Sequence, residues 1–199
     1  HRVRFVGQVR IGALSGHVEV EGGVRLPAGL ADATIVDCEL GDDVLVDRVG
    51  GHLANYRVNA GAVITDVGTV VTRPGATFGH GVCAETVNEG GGREVTLFAE
   101  LSSQFAYLQA MQRHDAALVS RLETMVADVT ATVTADRGLI GAGARVAHVS
   151  EVIDVNIGPA ARIVGAARLC NGTILSESGA RTEVGQGVIA EDFIFAEEF

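Results

Sequence analysis

The chain has 199 residues, 47% of them hydrophobic, enough for one domain or two small ones with a sizeable core. Aromatic residues make up only 5% and Trp is absent, while Gly reaches 26 against 3 Pro, so thin aliphatic layers are expected and Gly acts as structural punctuation. The net charge is −10 and all 15 cations are Arg, which removes a lysine Schiff base and speaks against a nucleic-acid surface, because neutralising phosphates takes clustered positive charge.

From residue 18 to residue 73 the chain repeats in hexads. Val18, Val24, Leu30 and Val36 lie six apart; after a shift of phase, so do Leu40, Val46, His52, Val58, Ile64 and Val70. Gly often follows the aliphatic residue, as in Leu40-Gly41, and a small or β-branched residue stands four places on, as at Val44 and Ala62. One hexad is a short flat strand plus a corner, and three close a triangular coil of about 18 residues that buries its core only by stacking on the next. In this reading Gly tolerates corner dihedrals that other residues resist. Residues 1–82 are assigned to a first β-helix segment.

The hexads then stop. Residues 83–138 form an insertion, opened by Asn88-Glu89-Gly90-Gly91-Gly92-Arg93, a polar turn whose N–H groups and Arg93 suit an anion unless it is only an exit loop. Leu101, Phe105, Leu108, Leu118, Leu122, Met125 and Val129 fall on one helical face. Ser102 or Ser103 and Asp115 are placed to cap an αα-hairpin broken at Arg113-His114, the alternative being one long helix kinked there. Residues 139–199 resume the hexads at Ile140, Val146 and Val152, slip by one to Ile157, Ile163, Leu169 and Leu175, and slip again to Val184 and Ala190.

Three cysteines, Cys38, Cys83 and Cys170, with no CxxC pair, point away from a disulfide framework or zinc site and towards reduced thiols in a cytoplasm. No apolar run reaches the roughly 18 residues of a membrane span, and no signal peptide or metal site is predicted. GxSxG, Walker and Rossmann signatures are missing. Histidine therefore supplies the candidate bases. His80, between Gly79 and Gly81 at the end of the first segment, leaves room for a substrate; the alternative is a turn residue. His148 occupies an outward repeat position facing a possible intersubunit groove. His52 fills an aliphatic slot, His114 sits at the helical break, and His17 has no supporting context. Glu39, Asp42, Asp43, Asp47 and Asp66 read as a solvated acidic face.

Hexads with this much Gly-after-aliphatic signal resemble the left-handed parallel β-helix superfamily of hexapeptide acyltransferases. The block from Asn88 to Val95, the segment Phe105-Ala106-Tyr107-Leu108 and the Arg113-His114 break resemble a large, functionally uncharacterised bacterial family that also carries hexapeptide repeats. The resemblance implies a mainly β fold with one largely helical insertion, and a homotrimer. The uncharacterised family implies no activity; by analogy with the superfamily, transfer of an acyl group from acetyl-CoA or another acyl donor to a sugar or nucleotide-sugar is expected, with His80 or His148 as candidate base and Asn88, Glu89 and Arg93 as candidate ligand-binding residues. The other reading is a non-catalytic trimerising or ligand-binding module of a larger protein.

Overall fold

Short aliphatic runs punctuated by Asp, Asn and Gly cannot form long strands, and none longer than seven residues occurs among the described residues, 2–86 and 90–196 of a computed structural model. The fold is mainly β. Parallel strands make an eleven-stranded and a six-stranded sheet, joined by two antiparallel hairpins and two α-helices.

The chain visits three ladders in rotation. The first contains Gly29–Ala31, Leu45–Val49, Val63–Val67, Arg145–Ala147, Arg162–Val164 and Glu183–Val184, with Leu30, Val46, Ile64, Val146, Ile163 and Val184 as successive lateral neighbours. The second aligns Ile35, Leu53, Val70, Val152 and Leu169. The third aligns Leu40, Val58, Ile140, Ile157 and Ile174. These columns form one continuous buried core. Removing each such aliphatic side chain from water contributes about 1.5–3 kcal/mol.

The corners set the phase of the repeat. At most rungs of the first two ladders the inward residue stands two places before a corner residue of positive φ: Val46 before Arg48, Ile64 before Asp66, Ile35 before Asp37, Leu53 before Asn55, Val152 before Asp154. Asp and Asn tolerate this left-handed region because their side chains bond locally to backbone; Asp37 and Asp154 accept from the N–H groups of Gln8 and Arg73. Crossing the Asp37, Asn55 and Asp154 corner takes one residue fewer than a hexad, which is the cause of the sequence slips. The step from Leu30 to Ile35 and that from Leu169 to Ile174 are also five residues, and the step from Val46 to Leu53 is seven, so strict six-residue stepping misplaces three residues. Ile35, Leu53 and Ile174 point into the core, where Val36, His52 and Leu175 were expected.

Two further expectations change. Val18 and Val24 are not core positions: His17–Glu19 and Arg25–Pro27 pair as an antiparallel hairpin, and Val18 and Val20 pack on the outer face of Leu45 and Val63. The first parallel rungs are instead Val3–Val6 and Arg10–Ile11, opposite Ala33–Val36 and Glu39–Leu40. The glycines after aliphatic residues also have a different cause from the one expected. Gly41 and Gly158 do not take positive φ; a Cβ on either would lie 2.7 Å from the backbone nitrogen of Ala60 or Ser176 in the next coil.

The insertion leaves after Thr69–Val71 and returns at Gly138–Ile140. Ala76 and Ala135 exchange both backbone hydrogen bonds and close its neck. Beyond the neck, Cys83–Glu85 and Glu94–Thr96 form a hairpin. Helix α1 (Ser103–Met111), capped by Ser102, packs on its second strand, and α2 (Ala116–Val133), capped by Asp115, follows. Both caps and the break agree with the sequence. The apolar stripe is only partly used: Leu122 and Val126 are buried, whereas Met111 and Met125 are exposed.

Candidate functional site

Three corner residues of the six-stranded sheet stack on successive coils. Register places Arg48, Asp66 and His148 side by side, all with positive φ, so their side chains leave the six-stranded sheet at one edge. The Asp66 carboxylate lies in the middle. It accepts from Arg48 Nε at 2.5 Å and Nη2 at 2.7 Å, and faces His148 Nδ1 at 3.9 Å. The hydrogen bond from Arg48, then its charge and that of His148, hold the Asp66 carboxyl below the usual carboxylate range. The hairpin His17–Pro27 roofs this edge, and Arg145, 3.6 Å from Glu19, closes one side.

The result is a cleft of about 150 Å³ lined by Val20, Glu21, Leu26, Thr65, Arg145 and His148. That volume takes about five water-sized groups, enough for one reacting end of a ligand. The His148 side chain is 59% exposed, so its ring can turn to a substrate. With a proton on Nδ1 facing Asp66, Nε2 is left as a base. At 3.9 Å the Asp66 contact is an electrostatic one that must shorten by about 1 Å to become a hydrogen bond.

His80 stands in a different environment. It is only 4% exposed, and its Nδ1 lies 3.1 Å from the Thr77 carbonyl oxygen and 3.3 Å from that of Phe78. The neighbouring glycine serves the protein: a Cβ on Gly79 would lie 2.5 Å from the Phe193 carbonyl oxygen, and its N–H donates to Asn171 Oδ1. His80 and His148 are carried by different parts of the fold, the insertion stem and the six-stranded sheet.

The glycine turn also differs from an open anion cup. Asn88 and Glu89 lie outside the described residues. Gly92 donates its N–H to Glu94 Oε1 at 2.7 Å, so the chain supplies a carboxylate of its own. That bond is the largest of the causes that lower the Glu94 pKa. Arg93 extends to Met111 Sδ at 3.6 Å, and Arg113 Nη2 reaches Glu94 at 3.2 Å. A second cleft of about 150 Å³ opens beside this ion pair, with Cys83, Thr96 and Gln109 on its walls.

Asp66 is the residue that sequence reasoning left on a solvated face. A signal was present: Asp66 stands two places after Ile64, and His148 two places after Val146, so the hexad frame already stacks them across the insertion. Among the described residues no group of three or more His, Cys, Asp or Glu is placed to hold a metal ion, and no helix is long and apolar enough to cross a membrane.

A protein of Treponema pallidum described as uncharacterised is 25% identical over 195 residues. The alignment covers 92% of this chain but only 27% of the relative, so the chain spans about a quarter of that protein's length. No solved structure matches. A family model, the domain of unknown function DUF4954, matches residues 1–198, and the chain belongs to that family.

Proposed function

We propose that this chain is a left-handed parallel β-helix of the hexapeptide-repeat kind that transfers an acyl group to a hydroxyl or amine of a sugar or nucleotide-sugar. The observation that carries the reading is the His148–Asp66 couple in a cleft with Arg145 beside it. His148 Nε2 takes the acceptor proton, Asp66 holds the imidazolium that forms, and Arg145 meets negative charge on the ligand. The donor is acetyl-CoA or another acyl thioester: the acceptor oxygen or nitrogen bonds to the acyl carbon, the C–S bond breaks, and the leaving thiolate takes the proton back from His148. Rotation of the strands through three ladders supports the β-helix, and a positive-φ corner after most rungs of two ladders supports its regular turns. A homotrimer is part of the proposal, supported by a lateral column of small and apolar residues beside the core column, Val36, Ala54, Val71, Ile153 and Cys170, of which Val36, Val71 and Ile153 are half-buried. Free thiols at Cys38, Cys83 and Cys170 support a reducing, cytoplasmic setting.

The test is titration of the protein with acetyl-CoA, followed by acetylation assays on sugar and nucleotide-sugar acceptors. Saturable binding is expected, with turnover falling about 10²–10⁴-fold in His148→Ala and by a smaller factor in Asp66→Asn. A silent titration at saturating acetyl-CoA, with no thermal shift, would remove the enzyme. It would leave a non-catalytic trimerising or ligand-binding module, the reading that the burial of His80 favours.

A further inference from the structure

The ion pairs of this acidic chain follow a pattern with one exception. Arg48 meets Asp47 and Asp66; Arg168 meets Glu151 and Glu191; Arg162 meets Glu21 and Glu183. Among the described residues, every such network but one holds at least as many carboxylates as guanidiniums. On the outer face of the third ladder the ratio inverts. Arg57 Nε lies 3.1 Å from Glu39 Oε2, Arg137 Nη1 2.8 Å from Oε1, and Arg10 Nη1 3.6 Å from Oε1.

The fold enforces this crowding. Arg10 and Arg57 are the lateral neighbours of Glu39 on either side in the ladder, and Leu40 and Val58 point inward beside them. Arg137 comes from the returning end of the insertion. Hydrogen bonding from Arg57 lowers the Glu39 pKa, so the carboxylate is ionised at neutral pH and the cluster carries a surplus of two positive charges. One carboxylate has two oxygens for three forks of N–H donors. Most of the Arg10 and Arg57 side chains remains exposed, at 81% and 61%. Leu139, opposite Arg57, adds an exposed apolar side chain at the rim.

We propose that Arg10, Arg57 and Arg137, arranged around Glu39, form a binding site for a phosphate dianion, free or as a phosphate monoester. A phosphate monoester carries about −1.5 to −2 at neutral pH and matches the surplus. Its tetrahedral oxygens suit planar guanidiniums that approach from different sides. The site lies on a different sheet from His148, so it stands independently of the acyl-transfer reading.

Calorimetric titration with inorganic phosphate at low ionic strength tests the site, with α-glucose 1-phosphate as the monoester probe. Saturable binding in the millimolar range or tighter is expected for at least one of them. Arg10→Gln, Arg57→Gln and Arg137→Gln each weaken it about tenfold, the order expected for one charge-assisted contact. Glu39→Gln tightens it, because the competing carboxylate loses its charge. Arg168→Gln and His148→Ala leave it unchanged, the latter separating this site from the proposed base. Arg10 is largely exposed, so its variant keeps the fold if the others do not. No saturable binding of either probe at about 10 mM, equal weakening in Arg168→Gln, or weaker binding in Glu39→Gln would overturn the proposal. So would salt-dependent self-association that consumes the cluster in place of phosphate.

Discussion

Replacing Tyr56 with Phe removes one oxygen from the core and nothing else. Tyr56 is wholly buried; its hydroxyl donates to the Val155 carbonyl at 2.9 Å and lies 3.4 Å from the Val155 nitrogen. Burial pushes the phenol pKa well up, so the group is neutral and serves only as a hydrogen-bonding partner. Deleting the hydroxyl leaves a buried peptide carbonyl without that donor, a loss of about 1–3 kcal/mol. For a chain of this length each kcal/mol moves Tm by about 2–4 °C, so a drop of roughly 2–12 °C is expected. Urea denaturation followed by circular dichroism reads the free energy, and an unchanged m-value shows that the native state kept its compactness. A loss below about 0.3 kcal/mol, well under the cost of an unmet buried carbonyl, would refute the account of Tyr56 as the buried donor to the Val155 carbonyl.

Gly158→Ala should cost about 1–3 kcal/mol through overpacking, because the new Cβ meets the Ser176 nitrogen and Ile174 oxygen of the next coil, whereas Gly29→Ala, with nothing within 4 Å, should be neutral or slightly stabilising in the same assay. A thiol reagent should label exposed Cys83 within minutes and leave Cys38 untouched until unfolding, since Cys38 is buried and its thiol pKa is pushed up by burial. Asp66, Glu21 and Glu94 have lowered pKa values in the folded state. The unfolded chain therefore binds more protons in that range. Their contribution is complete above the unfolded carboxyl values of about 4, and is lost as pH falls through the lower folded values. Urea midpoints should be flat from about pH 6 to 8 and fall below about pH 4, with 0.5 M salt flattening the dependence as it screens these partly exposed pairs.

The hexads were legible because the core is one residue deep in each rung, so Val46, Ile64, Val146 and Ile163 repeat without interruption by larger packing units. What a fixed period of six missed was the local geometry of the corners. The step from Val46 to Leu53 takes seven residues and the next, across the left-handed Asn55, takes five, so period counting assigns the core slot to His52 instead of Leu53. The hairpin His17–Pro27 was hidden because Val18 and Val24 lie six apart by coincidence. Pairing of Asp66 with His148 depends on joining coils across the insertion, which the frame permits but local reading does not suggest. The burial of His80 was invisible because it comes from contacts of residues 77–80 with Asn171, Thr173 and Phe193, far away in the chain.

The neck at Ala76 and Ala135 bears on how the chain finds its fold. Thr69–Val71 must meet Glu151–Ile157 across the whole insertion, a long search for a parallel pair. Helices and a hairpin form from local contacts, and once they bring the neck at Ala76 and Ala135 together, the intervening chain between Thr69 and Glu151 counts as a link of about 23 residues. Loop-closure entropy grows by about 0.6 kcal/mol per doubling of length, so pinching off the insertion lowers the cost of that meeting by about 1.1 kcal/mol, roughly sixfold in rate. The excursion thus acts as a splint: the earlier it folds, the shorter the chain looks to the coils that stack on either side of it.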